Sequence, residues 1–183
     1  ARALLDAGRP REALDVVARA PLERLAEEYA GGLRRVAARA LLALGDRQGA
    51  RALFAGIDAV ATNQALKAGN LLEWARLEME DGNAGECAAL LGRLPPPEAA
   101  DGEAAAAVEA GILLHAQARQ ALGRPGEAAD LLRRLATNTA AGADARAEAW
   151  SRLAELAAAA GRTNEVIEAG RRALQLCESP AQA

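Results

Sequence analysis

The sequence predicts an all-α fold, built as a stack of about five helical hairpins from about ten antiparallel helices. Three observations predict it: the composition, a glycine that returns at a nearly constant spacing, and small residues at fixed distances from that glycine. Together they favour one helical array over residues 1–183. We expect its repeats at residues 1–20, 22–57, 62–94, 103–137 and 143–177.

The composition favours helices over strands. About a quarter of the residues are alanine, and aromatic residues make up 2%. Alanine, leucine, arginine and glutamate are strong helix formers, whereas the β-branched and aromatic residues that favour strands are scarce. Because alanine buries little surface, the core must come from many close contacts between helices.

A glycine recurs after each predicted first helix and precedes a short polar turn. These turn glycines are Gly8, Gly45, Gly82, Gly123 and Gly161, with spacings of 37, 37, 41 and 38 residues. A helix commonly ends on a residue in the left-handed conformation, which glycine adopts without a Cβ clash. The glycines therefore mark the turns of five hairpins.

Small residues occupy two positions relative to each turn glycine. The position seven residues before it holds Ala1, Ala38, Ala75, Ala116 and Ala154. The position five residues after it holds Ala13, Ala50, Cys87, Ala128 and Val166. Helices that cross closely need small side chains at the contact, so both positions are predicted to lie where the two helices of a hairpin meet.

This pattern resembles the tetratricopeptide repeat (TPR) family, most closely in the last unit, where Trp150, Leu153 and Ala154 precede Gly161. The resemblance implies a right-handed α-α superhelix whose first helices line a concave groove that binds proteins. The spacing exceeds the ~34 residues of the family. The lysine and asparagine set with which some members hold a carboxylate is not matched, so that activity is not implied.

Some boundaries can be placed along the chain. We expect helices over 22–44 and 47–56, and a long break from Leu94 to Pro97. The repeat resumes in phase after this break, which favours a loop over a domain boundary. Because Ala1 falls inside a first helix, we also expect an upstream repeat or cap in a longer protein.

Few residues could carry chemistry. His115 is the only histidine, and Cys87 and Cys177 belong to no metal-binding cluster. We expect a structural role for His115, no metal, no cofactor and no enzymatic activity. The 22 lysines and arginines against 25 acidic residues disfavour nucleic acid as a partner. No apolar run reaches the ~18 residues of a membrane span.

The resemblance places a candidate binding groove on the first helices. Its predicted residues are Arg35, Arg39, Leu72, Arg76, Met79, Leu113, Gln117 and Gln120. This groove would be basic at one end, and it would suit a protein or peptide segment that carries acidic groups at one end. The alternative is a solvated helix face whose arginines serve solubility.

One ion pair between repeats is predicted. Glu78 and Arg119 each stand four residues before a turn glycine, in neighbouring units. Stacked repeats bring equivalent positions close together, so the two side chains could pair. The alternative is that both reach solvent at the edge of the groove.

The leading interpretation is a non-catalytic scaffold for protein–protein interaction. The abundance of alanine and arginine over lysine is typical of a bacterial, GC-rich genome. Two finer hypotheses are a periplasmic scaffold of an exopolysaccharide (cellulose-type) secretion system and the sensor segment of a bacterial regulator. Direct polysaccharide binding lacks aromatic residues at the groove positions. The compartment stays open.

Overall fold

The computed structural model describes residues 1–100 and 102–178, and the other residues of the predicted 1–183 array lie outside the described part. Every regular element in the described part is helical. The helices are α1 (Arg2–Asp6), α2 (Pro10–Ala18), α3 (Glu27–Ala43), α4 (Arg47–Val60), α5 (Gln64–Glu80), α6 (Ala84–Leu91), α7 (Gly102–Ala121), α8 (Pro125–Thr137), α9 (Ala143–Ala159) and α10 (Thr163–Glu178). Two 3₁₀ turns, Leu22–Arg24 and Pro97–Ala99, precede α3 and α7.

The helices pair in chain order and stack. The hairpins are α1–α2, α3–α4, α5–α6, α7–α8 and α9–α10, and each second helix also contacts the first helix of the next hairpin. The first helices α1, α3, α5, α7 and α9 contact one another in succession. The chain is therefore a helical solenoid with its first helices aligned along one side.

The turn glycines have the predicted backbone conformation. The φ angles of Gly8, Gly45, Gly82, Gly123 and Gly161 are 72°, 85°, 78°, 72° and 70°. In each turn the residue after the glycine donates its N–H back to a carbonyl of the preceding helix, as Asp46 does to Leu41 at 2.9 Å. This bond satisfies a carbonyl that the helix end would otherwise leave without a partner.

The small residues lie where the helices meet. Ala38, Ala75 and Ala116 of the first helices are fully buried. On the second helices, Ala13, Ala50, Cys87 and Ala128 are also fully buried. Their counterparts in the last hairpin, Ala154 and Val166, are only half-buried. The small side chains thus allow close crossing in each inner hairpin.

Two predicted helix boundaries are wrong. The helix expected over 22–44 begins only at Glu27, because Leu25 and Ala26 have extended backbone. Glu27 Oε2 accepts a hydrogen bond from Thr62 Oγ1 at 2.7 Å, which fixes the start of α3 against the loop before α5. The helix expected to end at residue 56 continues to Val60, because Ile57 is buried against Leu66 of α5.

Candidate functional site: the groove along the first helices

A cavity of about 630 Å³ opens along the first helices of the N-terminal half. We call it the first-helix groove. Most of its wall belongs to α3 and α5, with one residue each from α1 and α7. Its lining includes Arg2, Leu25, Glu28, Tyr29, Leu33, Arg35, Val36, Arg39, Leu66, Glu73 and Glu103.

One wall of the groove is apolar. Tyr29 is 69% exposed and Leu25 is 36% exposed, whereas Leu66 forms a buried part of the lining. Tyr29 is an aromatic groove residue that the sequence analysis missed. The sequence does contain a signal for Tyr29, because Tyr29 and Leu66 each stand sixteen residues before a turn glycine. Equivalent positions of neighbouring repeats therefore line the same cavity. The groove therefore offers an aromatic ring beside aliphatic side chains.

The charged wall contains the two predicted arginines and one acidic residue that was not predicted. Arg35 and Arg39 both line the groove. Arg35 Nη2 donates a hydrogen bond to Glu73 Oε1, and Arg39 Nε lies 3.5 Å from Glu73 Oε2. The arginines of α3 thus converge on a carboxylate from α5. The basic groove end expected from the sequence is neutralised in part.

Three of the predicted groove residues are turned toward the core. Leu72 is 8% exposed and belongs to the buried residues. Met79 and Leu113 are half-buried, and each packs against a core cluster. The reason is the rotation of each helix: Met79 lies against the cluster shared by α5, α6 and α7, and Leu113 lies against the cluster that α7 shares with α8 and α9. The prediction of a groove position for Leu72 is wrong.

The remaining three predicted residues stay accessible. Arg76, Gln117 and Gln120 are exposed on α5 and α7. They lie beyond the lining of the 630 Å³ cavity. The polar middle of the predicted groove is therefore an open helix surface, separate from the cavity that holds Tyr29.

The ion pair predicted between Glu78 and Arg119 is replaced by two other pairs within the described residues. Glu78, with its side chain 4% exposed, accepts hydrogen bonds from Arg51 Nε at 2.7 Å and Asn83 Nδ2 at 2.8 Å. Arg119 Nη1 lies 3.0 Å from Glu127 Oε2. Both α4 and α7 pack on α5, and the Glu78 side chain lies on the side of α5 that faces α4, within hydrogen-bond distance of Arg51.

His115 and Cys87, two of the groups with nucleophilic or acid–base potential, are buried in the structure. His115 is 8% exposed, and its Nε2 accepts a hydrogen bond from Arg119 Nε at 3.0 Å. Burial, with the nearby Arg119 charge, lowers the pKa of His115. Burial raises the pKa of the Cys87 thiol to about 11, which leaves little reactive thiolate at neutral pH. Within the described ranges, both cysteines are free thiols.

The described ranges hold neither a metal-binding cluster nor a membrane span. Residues 1–100 and 102–178 contain no group of three or more histidine, cysteine, aspartate or glutamate side chains placed to hold a metal ion. In the same ranges, no helix combines the length and apolar character that crossing a bilayer requires.

Comparison with known proteins supports the fold. No protein-family model matches the chain, and no curated protein matches it. A crystal structure of nearly identical TPR-like repeats from a kinesin light chain-like protein of Podosopora anserina matches with a TM-score of 0.67 and 21% identity. A single-substitution variant of it matches with a TM-score of 0.68 and 22% identity. Each alignment covers 100% of this chain and 93% of the other. The fold is a TPR-like helical solenoid.

Proposed function

We propose that the chain is a non-catalytic scaffold that binds a peptide or protein segment in the first-helix groove. The observation that carries this proposal is the exposed ring of Tyr29, which lines the same cavity as Leu25 and Leu66. Tyr29 is the only tyrosine in a chain with 2% aromatic residues. A large ring left in solvent at a concave site is typical of a binding surface.

The physical basis is the free energy of burying this wall. A few anchor residues carry most of the binding free energy of an interface, and tyrosine and arginine are enriched among them. The groove joins one such ring to two arginines within a single cavity. An incoming segment with one large apolar side chain would cover Tyr29 and displace water from the aliphatic lining.

Tyr29→Ala tests the proposal. Peptides are first selected from a random library displayed on phage, with the wild-type chain as the bait. We expect Tyr29→Ala to weaken their binding by about tenfold or more, since truncation of an anchor costs roughly 2 kcal/mol. Isothermal titration calorimetry measures the affinity. Thermal unfolding should change little, because Tyr29 is mostly exposed.

Ile167→Ala is the matched control for that experiment. Ile167 is 57% exposed on α10, at the other end of the solenoid. Its truncation should leave the peptide affinity within about twofold, as for a surface residue outside the interface. Peptides that respond to Ile167→Ala but not to Tyr29→Ala would place the binding surface elsewhere and contradict the proposal.

The proposed scaffold could work in either of two biological systems. The scarcity of lysine beside abundant arginine and alanine supports a bacterial origin. On that basis the scaffold could serve an exopolysaccharide secretion system or form the sensor segment of a regulator. A signal sequence with a β-barrel encoded in the same reading frame would favour the first system, and a DNA-binding or NTPase domain would favour the second.

A further inference from the structure

The centre of the charged wall is a carboxylate that accepts a hydrogen bond from one guanidinium group and lies near a second. The side chain of Glu73 is 12% exposed, that of Arg35 is 27% exposed and that of Arg39 is 46% exposed. Arg35 donates a hydrogen bond to one carboxylate oxygen, while Arg39 approaches the other. Glu73 therefore stands where the carboxylate of a bound acidic peptide would otherwise meet both arginines.

A glycine inside α5 makes room for this arrangement. A Cβ atom added to Gly69 would lie 2.7 Å from Arg35 Nη1 and 3.0 Å from its Cζ. Gly69 and Glu73 are four residues apart and share one face of α5. The Arg35 guanidinium thus lies over the glycine and reaches along the helix to Glu73. A helix-interior glycine is unfavourable by itself, and a larger residue at this position would displace the Arg35 guanidinium.

The other charges of the groove also balance. Its lining holds three arginines, Arg2, Arg35 and Arg39, and three glutamates, Glu28, Glu73 and Glu103. An acidic segment entering the groove would gain attraction mainly from Arg39, the more exposed of the central arginines. It would at the same time approach the Glu73 carboxylate, and like charges placed together across an interface oppose binding.

We propose that Glu73 occupies the site at which Arg35 and Arg39 would otherwise bind a carboxylate of the ligand. As a result, the groove binds uncharged apolar segments in preference to acidic ones. This inference rests on the proposed function of the first-helix groove. The partner is then expected to carry a large apolar side chain that packs on the apolar wall at Tyr29. It is expected to have no carboxylate at the position that faces Arg35 and Arg39. The selectivity thus comes from repulsion of acidic segments by Glu73 as well as from apolar contacts with the preferred segments.

The test compares selections from one random phage-displayed peptide library on wild-type chain and on Glu73→Gln. Glutamine keeps the shape of the Glu73 side chain and can still accept a hydrogen bond from Arg35. It removes the negative charge, so the charges of Arg35 and Arg39 are no longer neutralised. Peptides from the wild type should carry large apolar residues without acidic enrichment. Glu73→Gln should raise the ratio of acidic to neutral binders by about tenfold, the factor that roughly 1.4 kcal/mol supplies.

Glu155→Gln is the matched charge control. Glu155 is exposed on the first helix α9, away from the cavity, so its loss changes the net charge equally without freeing an arginine. It should leave the selected peptides unchanged. An equal acidic gain with Glu155→Gln would attribute the effect to net charge and overturn the inference. Acidic peptides that already dominate on the wild type would also overturn it.

A second measurement uses only the wild-type chain. In a selected neutral peptide, each residue beside the apolar anchor is changed in turn to Asp or to Asn. We expect one such Asp peptide to bind about fivefold or more weakly than its Asn counterpart, with the difference shrinking at high salt. Equal binding of every Asp and Asn pair contradicts the inference.

The two proposals fail in distinguishable ways. If Tyr29→Ala abolishes binding but Glu73→Gln leaves the acidic ratio unchanged, the groove binds segments and only the role of Glu73 is wrong. If no selected peptide responds to Tyr29→Ala, the proposed function itself is contradicted. Circular dichroism and thermal unfolding of each variant confirm that the folds being compared are the same.

Discussion

Phe54→Ala is expected to lower the free energy of unfolding by about 3–5 kcal/mol, the range for truncating a buried phenylalanine. Phe54 is fully buried and is the only phenylalanine of the chain. It packs with Ala38 and Ala50 of its own hairpin and Leu77 of the next. Ala38 and Ala50 have no flexible side chain that could move into the space left behind, so Leu77 and the leucines around the cluster could refill it only in part.

Denaturant unfolding, followed by tryptophan fluorescence and by circular dichroism, measures this loss. The matched control is Val60→Ala on the same helix, because Val60 is 57% exposed. It should change the unfolding free energy by no more than about 0.5 kcal/mol. A loss for Phe54→Ala as small as that of the control would show that the hairpins do not share this core.

Arg51→Met is expected to cost about 2–3 kcal/mol of stability. The Glu78 side chain is 4% exposed, and Arg51 is its charged partner across the contact between α4 and α5. Removing one partner of a buried pair typically costs ~3–5 kcal/mol. The expected loss is smaller here, because Arg51 is 33% exposed and Glu78 keeps hydrogen bonds from Asn83 and Trp74.

Arg133→Met is the matched control for this substitution. Arg133 Nη1 lies 2.6 Å from Asp130 Oδ1 on α8, and both side chains are more than half exposed. An exposed pair contributes about 0–1 kcal/mol, so this variant should unfold almost like the wild type. If both arginine variants cost the same, the burial of Glu78 does not govern the stability of the stack.

The pH dependence gives the Arg51 prediction a second readout. Burial alone would raise the pKa of Glu78, but the hydrogen bonds from Arg51, Asn83 and Trp74 outweigh it and hold the pKa below its ordinary 4.5. A carboxylate whose pKa is lower in the folded state than in the unfolded state stabilises the fold. This contribution is fully present when the pH is above the unfolded-state pKa, and it is lost as the pH falls through the folded-state pKa. Without Arg51, burial dominates and should raise the pKa. The stability deficit of Arg51→Met should therefore shrink as the pH falls from 7 toward 4.

The repeat was predictable because it depends on backbone geometry and side-chain size, which follow directly from residue identity. A glycine with positive φ ends each first helix, and Ala38 and Ala50 are buried at one helix crossing. Both features follow from spacing along the chain. The register of each hairpin against its turn is therefore determined by the positions of glycine and alanine.

The charged contacts were less predictable, because they depend on how each helix is rotated against its neighbours. Glu78 and Arg119 hold equivalent positions in the sequence, yet each pairs with a nearer partner, Arg51 or Glu127. Glu73 lies beside the predicted groove position at Leu72, and the rotation of α5 directs Glu73 to the groove and Leu72 to the core. A difference of one residue on a helix decides which side chain a ligand meets.

The first-helix groove is the surface that we propose receives a partner. A crystal structure of the wild-type chain with a peptide selected from the library tests it most directly. We expect a large apolar side chain of the peptide to lie against Tyr29 and Leu66, with the Arg35–Glu73 hydrogen bond intact. A peptide seated on the second helices α4, α6 or α8, with the groove unoccupied, would contradict it.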